Sequence, residues 1–145
     1  MVTNRSVPAN VILPHVSYRS VAEAIVWLTR VFGFEEHYRY GVEGGKVSGA
    51  QLRLGDATVM LRTRAGETPA ELGFGTQSLT IFVEDVEARY ARAKAEGATI
   101  VEQPYETIYG EFQFAALDLD GHHWLFSRHA RDVAPQEWGA VVAKA

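Results

Sequence analysis

Five histidines are the side chains in this sequence best suited to acid–base or metal chemistry near neutral pH. His15 stands in a predicted strand, either as a hydrogen-bond donor, general base or lone metal ligand, or as a structural or pocket-lining residue. His122 and His123 are adjacent beside a turn, and adjacent strand residues face opposite ways, so the pair cannot easily chelate one ion. His37 and His129 are interpreted as exposed strand or strand-end residues. The chain has no cysteine, which excludes a thiolate metal site and cysteine catalysis.

Polar residues alternate with leucine and valine along two predicted strands. Gln51, Arg53 and Arg62 are the polar members, and their apolar neighbours should meet the helices behind the sheet. The polar set is therefore expected on the opposite, concave face. An arginine there can hold a carboxylate or phosphate through paired hydrogen bonds, and solubility of a sheet edge is the alternative explanation.

Aromatic residues cluster around a predicted loop, Tyr105–Gly110. They are Tyr105, Tyr109, Phe112 and Phe114. Their rings are placed either to cover a flat or apolar ligand or to pack in the core. Farther on, the tail 130–145 is predicted to form a short capped helix, in which Trp138 is a candidate dimer contact.

These side chains must be positioned by two similar sets of elements. In the first half, apolar residues at helical spacing predict a helix over Val21–Phe32, capped by Ser20 and ended by Gly33. Strands are predicted at Val11–Tyr18, Phe34–Tyr40, Val47–Leu54 and Thr58–Thr63, followed by a loop at Arg64–Gly75.

The second half repeats this order. Asp85 begins a helix that ends before Gly97, and strands are predicted at Ser78–Val83, Thr99–Gln103, Phe112–Leu117 and His123–Arg128. The offset between the helix starts is about 65 residues, which indicates an internal duplication. An α+β domain with two coincidentally similar helices is the alternative.

Composition limits the function classes. The 14 basic and 18 acidic residues give a net charge of -4 without a long basic run, so nucleic acid is not an expected partner. No stretch has the roughly 20 apolar residues of a membrane span, and the first ten residues contain no apolar core of a secretory signal. We therefore expect one cytoplasmic domain that has no membrane partner.

Short motifs in a specific order resemble those of the vicinal oxygen chelate superfamily, which includes glyoxalase I, extradiol dioxygenases and bleomycin resistance proteins. They are Ala24–Leu28 running into Val31–Phe34, Leu52–Asp56, Ile81–Val86, Ala95–Ala98, Tyr109–Gly110 and Asp118–Trp124. The resemblance covers nearly the whole chain, although Leu119 stands where proline is usual and Phe112 where arginine is common. It implies an α+β fold of two tandem βαβββ modules, at about 9–64 and 76–129, that form a concave mixed sheet with helices on the convex side.

In metal-dependent members of that superfamily, four side chains on the concave face bind one divalent ion. The resemblance places those positions at Leu13, Met60, Ser78 and Leu125, none of which suits a hard ion. An alignment slip of two residues would bring His15 to the first position. We expect no metal and no cofactor, and a ligand pocket lined by Leu13, His15, Gln51, Arg53, Met60, Arg62, Ser78, Thr80, Tyr109, His123 and Leu125.

Three functions follow from this resemblance. The first is a metal-independent protein that binds a small organic molecule, such as a toxic natural product or antibiotic. The second is a lyase or isomerase that uses an atypical metal site or His15 as base. The third is a non-catalytic interaction domain, and the resemblance also implies a homodimer.

Overall fold

The computed structural model of the chain describes residues 2–7 and 12–143. These residues form two compact units, one running up to Phe74 and including Leu119–Gly121, the other made of Gly75–Asp118 and the residues from His122 onward. Each unit contains a four-stranded sheet with a helix packed against it. The predicted α+β fold with two tandem βαβββ modules is confirmed. None of the helices within the described ranges is long and apolar enough to cross a membrane.

The first unit runs strand, helix and three strands. Its elements are β1 His15–Tyr18, α1 Val21–Phe32, β2 Glu35–Tyr40, β3 Gly49–Leu54, β4 Ala57–Thr63 and the one-turn helix α2 Pro69–Leu72. The sheet order is β1-β4-β3-β2, with β1 parallel to β4 and the other pairs antiparallel. The predicted first strand and first module begin at residues that lie outside the described part of the chain.

Local sequence signals set both ends of α1. The Ser20 side chain accepts a hydrogen bond from the backbone N–H of Glu23 at 3.3 Å, which satisfies one of the free donors of the first turn. Gly33 adopts a left-handed conformation with φ of 79°, which ends the helix at little steric cost. Between these ends, the apolar positions form one buried stripe against the sheet. The predicted bounds of this helix are confirmed.

The second unit repeats the order of the first. Its elements are β5 Ser78–Phe82, α3 Val86–Ala95, β6 Thr99–Glu106, β7 Glu111–Leu117 and β8 His123–His129, followed by a 3-10 turn at Pro135–Trp138. The sheet order is β5-β8-β7-β6, again with the first strand parallel to the last. The same pairing pattern in both sheets agrees with the duplication inferred from the sequence.

Aromatic packing fills the space between α3 and its sheet. The rings of Phe114 and Phe126 stack at 5.2 Å, and Tyr90 of α3 meets Phe114 edge-on at 5.5 Å. Phe112 lies under the guanidinium group of Arg128 at 4.6 Å. Phe114 is therefore a core residue, which was one of the two interpretations of the aromatic cluster.

Three segments differ from the sequence-based expectation. The predicted loop Arg64–Gly75 contains α2, because Thr68 and Glu71 form a reciprocal capping box around Pro69. Strand β6 continues to Glu106 because its pairing with β7 resumes after two register shifts. The tail forms a 3-10 turn without a side-chain cap in place of a capped helix.

Leu119–Gly121, in the turn between β7 and β8, belong to the first unit and contact other residues of that unit. Asp120 accepts hydrogen bonds from the backbone N–H groups of Arg19 and Ala70, each at 2.9 Å. Gly121 has φ of 88°, and a Cβ atom there would lie 2.4 Å from the backbone nitrogen of Ala70. Gly55, in the hairpin turn of the first unit, has open space around it. Only glycine therefore fits at residue 121 on both conformational and steric grounds.

Asp118 anchors the second hairpin from the inside. This carboxylate is buried, and it accepts a hydrogen bond from the indole Nε1 of Trp124 at 2.9 Å and from the N–H of His122 at 3.0 Å. Trp124 is completely buried, so its N–H has no access to water as an alternative partner. The pair therefore ties the turn to the core.

We predict that Asp118→Ala lowers the free energy of unfolding by about 2–3 kcal/mol, because it leaves the buried indole donor without an acceptor. The measurement is urea unfolding followed by tryptophan fluorescence. Asp56→Ala is the matched control, since Asp56 is exposed in the first hairpin turn and should cost no more than about 0.5 kcal/mol. Equal losses in the two variants would contradict this role for Asp118.

A charge pair links α3 to β8. The two terminal guanidinium nitrogens of Arg128, Nη1 and Nη2, donate hydrogen bonds to the carboxylate of Glu87, at 2.6 and 2.8 Å. The hydrogen bond from Arg128 is the main reason that the pKa of Glu87 falls from 4.5 to about 2. A lowered pKa means that this pair stabilises the folded state above about pH 4.5 and loses its effect as the pH falls toward 2.

We expect Glu87→Gln to make the melting temperature depend less steeply on pH between roughly pH 5 and pH 2, because the variant has no carboxylate to titrate. The measurement is thermal unfolding by circular dichroism across that range, at low salt because exposed charges are screened. Glu43→Gln, in an exposed turn, should follow the unmodified protein. A slope unchanged by Glu87→Gln would show that the pair does not contribute.

Candidate functional site

The far face of the first sheet, meaning the side turned away from α1, carries five of the predicted pocket residues: His15, Gln51, Arg53, Met60 and Arg62. The strand register brings them together, since His15 and Gln51 both pair with Met60 on β4. Gln51 is completely buried, Met60 is 8% exposed, and Arg53 is half-buried. His15 and Arg62 are exposed, and Leu13 lies two residues before β1.

A β-bulge adds His37 to this face. Glu36 pairs with Leu52 and Tyr38 pairs with Gln51, so the residue between them has no partner of its own on β3. His37 and Tyr38 consequently both reach Gln51, although they are adjacent in the chain. His37 is exposed in β2, as the sequence predicted, but its contact with Gln51 was not predicted, because alternation along a strand assumes an uninterrupted ladder.

The side chains of Arg53, His37 and Gln51 form one hydrogen-bonded chain. The Nδ1 atom of His37 lies 2.5 Å from Oε1 of Gln51, and Nη2 of Arg53 lies 3.0 Å from Nδ1 and 3.1 Å from Nε2 of the same ring. A carboxamide oxygen only accepts hydrogen bonds, so His37 is the donor to Gln51. With Oε1 turned toward His37, the NH2 group of Gln51 points away from the ring.

One buried donor of Arg53 is not used by the protein residues described. Within the described residues, its Nε atom is buried and has no hydrogen-bond partner. A buried N–H without an acceptor costs free energy, so an acceptor that reached this atom would be favoured. The positive charge makes a negatively polarised oxygen the preferred acceptor.

The far face of the second sheet, turned away from α3, holds four more of the predicted residues: Ser78, Thr80, His123 and Leu125. Ser78 pairs with His123, and Thr80 pairs with Leu125, on parallel strands. Ser78 and Thr80 are exposed, and His123 and Leu125 are half-buried. The Nδ1 atom of His123 is buried and lacks a partner among the described residues. Among the described residues, each far face therefore has one buried ring or guanidinium nitrogen without a partner.

Tyr109 lies apart from that group, in the turn before β7. Its ring packs against Trp138 at 5.8 Å, and both side chains are exposed by about 40%. Tyr105 pairs with Gln113, and its pKa is raised, chiefly by a hydrogen bond to the carboxylate of Glu102. Tyr109 also contributes to the raised pKa of Tyr105, so the two tyrosines lie near each other although they have different main contacts.

At the end of β8, His129 forms a pair with a carboxylate. Its Nδ1 atom lies 2.5 Å from Oε1 of Glu111, and the other carboxylate oxygen accepts a bond from Ser127 at 3.2 Å. The ring of Phe82 lies 5.0 Å from the imidazole, and Tyr109 helps to line a hollow of about 420 Å³ beside it. The sequence carried a signal for this pair, because extending the predicted hairpin by one residue at each end sets Glu111 opposite His129.

The donor set does not fit a divalent metal ion at the positions that the resemblance implies. Leu13 and Leu125 have no ligand atom, Met60 offers a thioether, and Ser78 is a neutral hydroxyl. Within residues 2–7 and 12–143, no three His, Asp or Glu side chains gather closely enough to hold a metal. The far faces are thus suited to hydrogen bonding and apolar contact.

Comparison with solved structures identifies the same architecture in other proteins. The crystal structure of TioX from Micromonospora sp. ML1 matches with a TM-score of 0.69 and 30% identity, over 83% of this chain and 99% of TioX. A glyoxalase/bleomycin resistance protein/dioxygenase family enzyme from Burkholderia phytofirmans PsJN matches with a TM-score of 0.62 over 83% of this chain and 99% of that enzyme. At 19% identity, that second match shows a shared fold alone.

Sequence comparison adds relatives in mycobacteria. An uncharacterized protein of Mycobacterium bovis is 30% identical over 137 residues, which are 90% of this chain and 90% of that protein. One from Mycobacterium tuberculosis is also 30% identical, over 90% of this chain and 81% of its own length. A family model matches residues 12–126. The chain therefore belongs to the glyoxalase/bleomycin resistance protein/dioxygenase superfamily.

Proposed function

We propose that this protein binds a small organic molecule without a resident metal ion, and that it sequesters a natural product or antibiotic. One observation carries the proposal: each far face has a buried nitrogen without a partner among the described residues, Nε of Arg53 on the first and Nδ1 of His123 on the second. A ligand with a suitably placed polar atom on either face would satisfy the nitrogen of that face and recover its desolvation cost.

The surroundings of these nitrogens are mixed in character, as is typical of small-molecule sites. Met60 supplies apolar surface on the far face of the first sheet, and Leu125 supplies it on the second. The hydroxyl groups of Ser78 and Thr80 are exposed beside Leu125 and can donate or accept. Such a ligand would therefore combine an apolar body with several oxygen acceptors.

Sequestration fits this chemistry because it needs affinity and no reactive group. In metal-dependent relatives these positions carry metal ligands. In this chain they carry side chains that can contact a bound molecule directly, so the same faces can bind a ligand. Membership of a superfamily that includes bleomycin resistance proteins supports an antibiotic or similar natural product as the ligand. A homodimer remains part of the proposal, with Trp138, which is 40% exposed, as a contact.

One observation favours an enzyme as the second candidate. The carboxylate of Glu111 orients the His129 ring through Nδ1, which leaves Nε2 free of that contact for use as a general base. His15, the base expected from the sequence, stands exposed opposite Met60 on the far face of the first sheet. Deuterium uptake from solvent by a bound ligand, lost in His129→Gln, would favour catalysis over sequestration.

We predict that a panel of antibiotics and natural products contains a ligand with a dissociation constant of about 1 μM or tighter. Binding should be measured by isothermal titration calorimetry, with and without chelator, after elemental analysis of the protein by mass spectrometry. Arg53→Met or His123→Leu should weaken binding about tenfold, because each removes one hydrogen bond to the ligand. The variant that has the effect identifies the face in use.

Arg92→Met is the matched control, since Arg92 is exposed on α3 and its loss should leave affinity unchanged. Unaltered affinity in both site variants would refute the assignment of the far faces. Loss of binding on chelation would refute metal independence. A panel without any binder would count against sequestration of this class of molecule.

A further inference from the structure

Among the described residues 2–7, the carbonyl oxygen of Ser6 joins the N-terminal segment to the far face of the first sheet. It accepts hydrogen bonds from the hydroxyl of Tyr38 and from Nε2 of Gln51, each at 3.0 Å. Gln51 is completely buried although it lies on the side of the sheet away from α1. The segment is therefore part of the cover over this side chain.

The shape of the segment comes from Asn4. Its side-chain oxygen accepts bonds from the backbone N–H groups of Ser6 at 2.9 Å and Val7 at 3.1 Å. Such an asparagine turn bends the chain without help from a helix or strand. Asn4 bonds only to N–H groups in this bend, so the carbonyl oxygen of Ser6 remains available to accept hydrogen bonds from the sheet.

Tyr38 and Gln51 are held in position independently of Ser6. The β-bulge sets Tyr38 opposite Gln51, and the bond from His37 fixes which end of the carboxamide carries the donors. The two donors, separated from each other by 3.2 Å, converge on one acceptor. Both are neutral, so the pair suits the oxygen of an amide, ester or ketone.

We infer that Tyr38 and Gln51 form a carbonyl-binding subsite, which Ser6 occupies in the ligand-free chain and a carbonyl group of the ligand takes over on binding. The inference rests on the proposed small-molecule function and assigns one chemical feature of the ligand. Two hydrogen bonds to an exposed, short segment are weak enough to be exchanged. The N-terminal residues thus protect the buried carboxamide until a ligand replaces them.

Trypsin provides a direct test, because Arg5 immediately precedes Ser6. Docking of the segment should slow cleavage after Arg5 in the full-length protein, measured by mass spectrometry of the intact chain over time. We expect Tyr38→Phe to raise the cleavage rate about five- to tenfold, because it removes one of the two bonds. Tyr40→Phe, on the same strand, should leave the rate unchanged. Equal rates in all three proteins would overturn the docking.

A second experiment tests whether the subsite accepts a carbonyl from another molecule. The probe is an acetylated, amidated peptide with the sequence Val-Thr-Asn-norleucine-Ser-Val, which copies residues 2–7 without a trypsin site. A short tether gives an effective concentration in the millimolar range, so the peptide is used at about 10 mM. Faster cleavage of the full-length protein with peptide, and no further acceleration in Tyr38→Phe, are expected. No acceleration would overturn exchange at the subsite.

These outcomes are separate from those of the proposed function. Both cleavage experiments need no natural ligand, so a failed antibiotic panel leaves their results intact. Conversely, a ligand found by calorimetry that binds Tyr38→Phe as tightly as the unmodified protein, and that does not speed cleavage after Arg5, would overturn the subsite while leaving small-molecule binding in place.

Discussion

In the part of the chain that the structure describes, α1 packs against one side of the first sheet and α3 against one side of the second, and this constraint determines the use of almost every strand residue. Alternate side chains must satisfy opposite demands, since one set fills the core against the helix and the next is available for other contacts. Leu52 and Gln51 illustrate the division, because both are completely buried yet face opposite sides of β3. A polar group on the far face can be buried only if its hydrogen bonds are provided there.

The sequence was sufficient to predict features that depend on local signals or uninterrupted ladders. The bounds of α1 follow from Ser20, Gly33 and a regular apolar stripe. The shared face of Gln51, Arg53 and Met60 follows from the unbroken pairing of β3 with β4. The β-bulge at His37 could not be predicted from the sequence. Bulges interrupt the regular pairing of strands, and no distinctive residue type marks this one.

The network on the first sheet joins the polar groups of the far face around a position where the resemblance implies a metal ligand. Met60 occupies a position expected to supply a metal ligand in relatives, and its sulfur now lies 3.4 Å from Nε2 of Gln51. The neighbouring polar groups are joined by hydrogen bonds among themselves, in place of coordination to an ion. The electrostatic character of the face therefore arises from the orientation of its hydrogen-bonded polar groups and from the guanidinium charges of Arg53 and Arg62.

The hairpin turns at Gly55 and Gly121 differ in their tolerance of mutation. At Gly55 a side chain would face only the conformational penalty of a left-handed backbone, so asparagine or aspartate is an accessible replacement. At Gly121 the same replacement also collides with the backbone of Ala70. Two turns in sheets of the same strand order therefore differ in the substitutions they accept, and the turn at Gly121 is the restricted one.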